Sequence, residues 1–297
     1  MSPSRQDLID DLVRDLTNRS KDRSLDFEMN ANVHALGEGL FARAAIDEGA
    51  LLVSVAFTEC ISCERIKHSP LKKILDDNPG LEDYPDEVLA LGLMYGKVNV
   101  DCEWYLHCQA MPSSIDTPLF WSDSDRSLLL KECNNFFVSN ILKRQVAADW
   151  DSIHGPFSEQ YPDLLGAVKI STYEWALSMV YSRALGFKRH GKYTRCIVPV
   201  VDMANHFPRQ GKHSADTFHF AEERDAVQLK ACTSYTEGAE CFAIYGDYSN
   251  AKLLHTYGFV LPDAAPLALD VWPNLQHHLQ SILVTSLVPA SIRKRIA

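Results

Sequence analysis

The sequence predicts an α+β fold in which two β-rich segments bracket a large helical insert and a short helical tail follows. Three observations carry this expectation. Residues 33–62 and 193–262 hold short apolar runs separated by Gly-containing turns. Residues 64–186 instead repeat apolar side chains at helical spacing behind Pro and Ser start signals. Of the 297 residues, 46% are hydrophobic, enough to bury a sizeable core without disulfide or metal staples.

The elements follow in order. Leu8, Leu12 and Leu16 predict an N-terminal helix over Asp7 to Thr17. Leu40 to Ala42 and Ala50 to Val55 are strand-like, and Ile46-Asp47-Glu48-Gly49 is a turn with Gly at positive φ. Pro85 sits in the first turn of a helix through Val88, Leu89, Leu91, Leu93 and Met94. Ser122 to Asp125 reads as a capping signal before a helix over Leu128 to Val146, and Ser171-Thr172-Tyr173-Glu174 as a capping box. Cys196 to Val201 is a buried strand, and Phe218 to Ala221 pairs with Ala226 to Cys232 as a hairpin. Tyr235 to Gly238 repeats the Ile46 turn ahead of a strand over Glu240 to Tyr245. Ser249 or Asn250 caps a short helix that stops at Gly258, and the tail is helical from Leu275. The expected segments are 1–24, an N-terminal helix; 25–63 and 171–262, the two parts of one sheet domain; 64–170, the insert; and 263–297, a reduced or truncated helical segment.

Composition narrows function. Lys and Arg number 29 against 39 Asp and Glu, a net charge of −10 that argues against wrapping nucleic acid and favours a cationic partner. The longest apolar runs fall far short of the about 20 residues a membrane helix needs, so no membrane association is expected. Met1 to Arg19 has no apolar h-region. A cytoplasmic or nuclear location with eight reduced cysteines is therefore expected.

Several clusters can carry chemistry, each beside a plainer reading. Gly37-Glu38-Gly39 lets backbone approach a ligand, or is a tight hairpin. Asp202-Met203-Ala204-Asn205-His206 places polar groups after a buried strand, or is a capped turn with a satisfied His. Arg183 after Ser182 offers a cation, or complements the helix dipole. Tyr245 and Tyr257 can wall a pocket, or fill the core. Cys60-Ile61-Ser62-Cys63 has no second pair, so no zinc site is expected; the spacing of His206, His213 and His219 matches no usual metal site.

The order of these clusters resembles a SET domain over about residues 30 to 262. More narrowly, it is similar to the subfamily of the Rubisco large-subunit lysine methyltransferase and its relatives acting on ribosomal and other non-histone proteins. The residues that carry the resemblance are Gly37-Glu38-Gly39-Leu40, Ser182-Arg183, Val198 to His206, Tyr245-Gly246 with Ser249-Asn250, and Tyr257-Gly258-Phe259. It implies a β-rich core with a pseudoknot-like C-terminal segment, split by a helical insert. It also implies S-adenosyl-L-methionine as cofactor and a lysine of a basic protein as acceptor, with no metal. Glu38, Gly39, Leu40, Arg183, Asn205, His206 and Phe259 then resemble cofactor contacts. Tyr245 resembles the catalytic tyrosine, and Ser182, Asp202 and Tyr257 resemble the surroundings of the incoming lysine. A subfamily member that methylates histidine lacks the aromatic at the position of Tyr257, which favours lysine here. An inactive SET-fold binding module, and histidine or histone-lysine methylation, are the competing expectations.

Overall fold

A computed structural model describes residues 3–23, 26–37, 39–130, 134–207 and 217–262. The expected helix from Leu275 therefore lies outside the described residues. The chain divides into two compact units, one from 1–113 with 179–246, the other from 114–178 with the residues from 247 onward.

The first unit holds three small antiparallel sheets. β1 (Phe27–Met29), β4 (Leu51–Ala56), β9 (Ala226–Lys230) and β8 (Phe218–Ala221) form one, in that order. β10 (Glu240–Cys241), β3 (Gly39–Ala42) and β2 (Val33–Leu36) form the second. β5 (Ile61–Ser62), β7 (Lys192–Ile197) and β6 (Leu185–Arg189) form the third. Each of the three sheets mixes strands from before and after the insert, so the two β-rich parts of the chain share one core. The two matching turns join them directly: Ile46 and Tyr235 exchange both backbone hydrogen bonds, at 2.9 and 2.8 Å, with Gly49 at φ 79° and Gly238 at φ 79°. Both glycines occupy the left-handed region that a side chain disfavours.

The N-terminal helix runs Arg5–Arg23, longer than the sequence predicts. It buries Ile9, Leu12 and Leu16, while Leu8 packs only partly. An apolar stripe at i, i+3 and i+7 follows the 3.6-residue period more closely than a strict four-residue repeat, which explains the shift from Leu8 to Ile9. The Pro85–Val98 helix opens on Pro85 and is apolar nearly all round, as befits an interior helix. No helix among the described residues is long and apolar enough to cross a membrane.

Four sequence expectations change. The Ser171 capping box lies inside its helix, which runs Ile170–Arg183; the carbonyl of Lys169 accepts from Thr172 and Tyr173, so the helix starts earlier. Behind Ser122 the described helical segments are Asp123–Leu130 and Asn134–Asp149, the first beginning ahead of Leu128 because the Ser122 hydroxyl accepts from the Asp125 amide at 3.0 Å. The strand expected over Cys196 to Val201 ends at Ile197; Val198 to Val201 stay buried but turn away. The strand expected through Tyr245 is only Glu240–Cys241, because Ala243 leaves β3 and pairs with His206 in a parallel bridge.

In the second unit, Ser249 caps the Asn250–Tyr257 helix through the Lys252 amide, and Gly258 ends it at φ 81°. A Cβ on Gly258 would stand 2.7 Å from the Asp116 carbonyl oxygen.

Truncating Leu12 to Ala removes a buried anchor of the N-terminal helix. We expect a loss of about 2–5 kcal/mol in urea unfolding. A loss below about 0.5 kcal/mol would mean that the helix is not docked on the core.

Candidate active site

The site is built on the turn that follows β7. Val198 to Val201 are fully buried, and Val200 adopts φ 67°, ψ −44°, a strained conformation for a β-branched residue. Strain of this kind persists only where the surroundings fix the backbone from several sides. Here the Asp202 amide donates to the Val198 carbonyl at 3.0 Å and the Met203 amide to the Val200 carbonyl at 3.1 Å. Two side chains complete the hold: Arg183 donates to the Asp202 carbonyl, and the Tyr245 hydroxyl donates to the Ala204 carbonyl at 2.8 Å.

Arg183 is delivered by the last residue of the Ile170–Arg183 helix, and its side chain is 17% exposed. The Asp202 side chain is only 2% exposed. Its Oδ2 lies 3.1 Å from His107 Nε2 and 3.7 Å from Arg183 Nη1. Burial pushes the carboxyl toward its neutral form, but His107, Arg183 and Arg5 outweigh that and hold it below its ordinary value of 3.8. Asp202 is thus an ionised internal partner of Arg183 and His107. His107 comes from the Tyr105–Ala110 helix of the insert, where no spacing marks it out.

Asn205 is exposed, and its Nδ2 donates to Glu240 Oε1 at 2.6 Å. Glu240 is opposite Phe41 in the β10–β3 register. A Cβ placed on Gly39 would stand 2.6 Å from the same Glu240 oxygen, so a side chain there would push the Glu240 carboxylate aside. Gly39, Glu240 and Asn205 therefore sit side by side. In the sequence, the only signal for Glu240 is its position two residues after Gly238.

His206 is nearly buried, and its Nδ1 accepts the Tyr245 amide hydrogen at 3.1 Å. An imidazole nitrogen that accepts carries no proton, so a neutral ring here holds its proton on Nε2. The two rings lie 5.1 Å apart. Burial raises the Tyr245 hydroxyl to about 12; Arg183 opposes this, and Asp202 and Glu240 add to it. The group is therefore a neutral hydroxyl at physiological pH, already committed as a donor to Ala204, and offers its oxygen lone pairs as acceptors. It is not a general base.

The remaining expected residues are placed as follows. Leu40 is fully buried, so only its backbone is available to a ligand. Ser182 lies in the last turn of the helix that ends on Arg183, partly buried. Glu38 lies outside the described residues. Tyr257 and Phe259 belong to the second compact unit, where their rings are 6.1 Å apart and Tyr257 stacks on Tyr248 at 6.2 Å, over Leu253 and Leu261. The first unit thus gathers Gly39, Leu40, Ser182, Arg183, Asp202, Asn205, His206 and Tyr245. A cavity of about 320 Å³ lined by Phe57, Glu59, Arg65 and Glu103 shares no residue with this group.

The donor set suits a zwitterionic ligand. The buried Nε of Arg183 makes no hydrogen bond among the described residues, which leaves a cationic donor for a carboxylate. The exposed Asn205–Glu240 pair offers polar atoms beside the Gly-lined strand. Among the described residues no group of His, Cys, Asp and Glu is arranged to hold a metal ion.

No family model matches the chain. It is similar to the actin-histidine N-methyltransferase of Danio rerio, 27% identical over 235 residues, covering 77% of this chain and 38% of that protein. It is also similar to the ribosomal lysine N-methyltransferase set10 of Schizosaccharomyces pombe, 24% identical over 246 residues, covering 79% of this chain and 42% of the relative. A third, the N-lysine methyltransferase setd6 of Danio rerio, is 26% identical over 243 residues, covering 75% and 50%. The chain spans half or less of the length of these relatives. Among solved structures, the SET domain of LSMT bound to lysine and AdoHcy superposes with a TM-score of 0.68 at 21% identity, covering 86% of this chain and 58% of that one. Rubisco LSMT bound to AdoMet gives 0.67 at 20% identity, covering 89% and 57%. The fold is that of the SET domain, as the order of sequence motifs implied, and the expected likeness to the Rubisco methyltransferase subfamily holds.

Because the Asp202 carboxyl is more acidic folded than unfolded, its stabilising contribution is present above its ordinary value of 3.8 and is lost as pH falls through the folded value. Comparing wild type with Asp202→Asn by thermal unfolding from pH 7 down to about 2.5 tests this. The variant should show the shallower loss of stability on acidification. Parallel profiles would mean that Asp202 is not ionised in the fold.

Proposed function

We propose that this SET-fold chain is an S-adenosyl-L-methionine-dependent protein methyltransferase. Its acceptor is the ε-amine of a lysine in a basic, non-histone protein, with a ribosomal protein or translation factor as the favoured class. The observation that carries this reading is the neutral Tyr245 hydroxyl, locked onto the Ala204 carbonyl in the same compact unit as Arg183, Asn205 and Gly39. The relatives named above, all protein methyltransferases, support it.

Arg183, Asn205, His206, Gly39 and the backbone of Leu40 would hold the cofactor. When bound, S-adenosyl-L-methionine supplies a methyl group on a sulfonium centre, open to in-line displacement by a neutral nitrogen. The chain's own task is alignment. Its oxygen acceptors, the Tyr245 hydroxyl among them, orient polarised C–H groups and the incoming nitrogen, and such positioning can be worth about 7–11 kcal/mol. A lysine arrives mostly protonated, with an ordinary pKa of about 10.4. Burial in an apolar environment and a nearby positive charge both favour its neutral form. Tyr245, being neutral, does not take that proton; it leaves to water before transfer. The net charge of −10 draws a Lys-rich partner by long-range attraction.

A histidine acceptor is the second reading, favoured by the 27% identical actin-histidine relative. An imidazole with a pKa of about 6.5 is already largely neutral at pH 7 and needs less help. Incubating the protein with labelled S-adenosyl-L-methionine and a proteome extract, then sequencing the modified peptides by mass spectrometry, separates the readings. Methyl-lysine in non-histone peptides is expected. Methyl-histidine would transfer the activity to the second reading. No labelling, with no cofactor binding by calorimetry, would leave a SET-fold binding module.

Two substitutions test the residue roles. Tyr245→Phe should lower turnover tenfold or more while leaving cofactor affinity within about twofold, since one aligning acceptor is worth roughly 1.4 kcal/mol or more. Equal turnover would remove the hydroxyl from the reaction. Asn205→Ala should weaken cofactor binding by about 1–3 kcal/mol, the cost of leaving a polar group unmatched. An unchanged dissociation constant would place Asn205 outside the site.

A further inference from the structure

We infer that Gln6, in the first turn of the N-terminal helix, is a positioning residue for the cofactor site: its amide clamps the backbone of Ala35 and Gly37 from outside. The inference rests on the function proposed above and adds to it an element that lies ahead of the segment resembling a SET domain.

The geometry is specific. Gln6 Oε1 accepts the Gly37 amide hydrogen at 2.9 Å, and Nε2 donates to the Ala35 carbonyl at 3.1 Å. Nε2 also donates to Asp10 Oδ1 at 2.8 Å. Two acceptors at one end and one donor at the other allow a single orientation of the amide. Gly37 is at φ 59°, in the left-handed region that a side chain disfavours. Two residues on, a Cβ on Gly39 would stand 2.6 Å from the Glu240 oxygen that accepts from Asn205.

The clamp is itself anchored. Ile9, Leu12 and Leu16 bury the helix in the sheet core, and Arg5 Nε donates to the Ala110 carbonyl at 3.1 Å. Gln6 is therefore carried by a docked element, and its hold on Gly37 is transmitted to the backbone that approaches the ligand. Removing it loosens the backbone at Gly37, which must then be ordered on binding, a cost that appears in affinity and is absent once the cofactor is bound.

Calorimetric titration of S-adenosyl-L-methionine into wild type, Gln6→Ala and Gln6→Glu tests this, with melting of each free protein alongside. For Gln6→Ala the dissociation constant should rise about three- to tenfold. Turnover at saturating cofactor should stay within about twofold, and the free protein should melt as wild type does. Gln6→Glu keeps an acceptor for Gly37 and should recover part of the affinity. Unchanged affinity in Gln6→Ala, with wild type binding, overturns the assignment of Gln6 alone. Equal losses in both variants with a lowered melting temperature would make Gln6 a docking residue of the helix and also overturn it. Failure of wild type to bind overturns this inference together with the function it rests on.

Discussion

Asp202 sits with almost none of its side chain in water, and an unanswered charge in that position costs several kcal/mol. The chain answers it with Arg183 from one helix and His107 from another. That pairing has consequences beyond itself. Arg183 also binds the Asp202 backbone, which fixes the turn whose Ala204 carbonyl receives Tyr245. The turn contains Val200 in a left-handed conformation that a free peptide would abandon. Removing the ion pair would release strain and displace the tyrosine together.

This coupling explains how three remote stretches of sequence become one site. The Tyr105–Ala110 helix lies in the insert, Arg183 closes the helix that leads back to the sheets, and Tyr245 follows the last short strand. None is near another in sequence, and the antiparallel pairing of β10 with β3 adds Gly39 and Glu240 to the group. The sheets are small and their strands short, so rigidity comes from cross-links between side chain and backbone rather than from long ladders.

Much of the fold was legible because its punctuation is chemical. Gly49 and Gly238 mark turns that only glycine makes easily, Pro85 opens a helix, and Ser249 with Gly258 frames another. The polar residues Arg183, Asp202, Asn205 and His206 were legible as a cluster of chemical types in a recognisable order. Their partners were not. His107 and Glu240 are ordinary residues in sequence, and only long-range packing brings His107 to Asp202 and Glu240 to Asn205. The strand expected through Val201 misled for a related reason. Burial on all sides reads as strand, yet Val198 to Val201 are buried because a strained turn is packed inside the core.

The proposed function requires Gly39, Arg183, Asn205, His206 and Tyr245 to line one cofactor site. Hydrogen-exchange mass spectrometry of the protein with and without S-adenosyl-L-methionine reads this out. Slowed exchange is expected in peptides covering 35–42, 201–207 and 240–246 together. Slowing confined to other peptides, such as those around Phe57 and Arg65, or no change at saturating ligand, would contradict it.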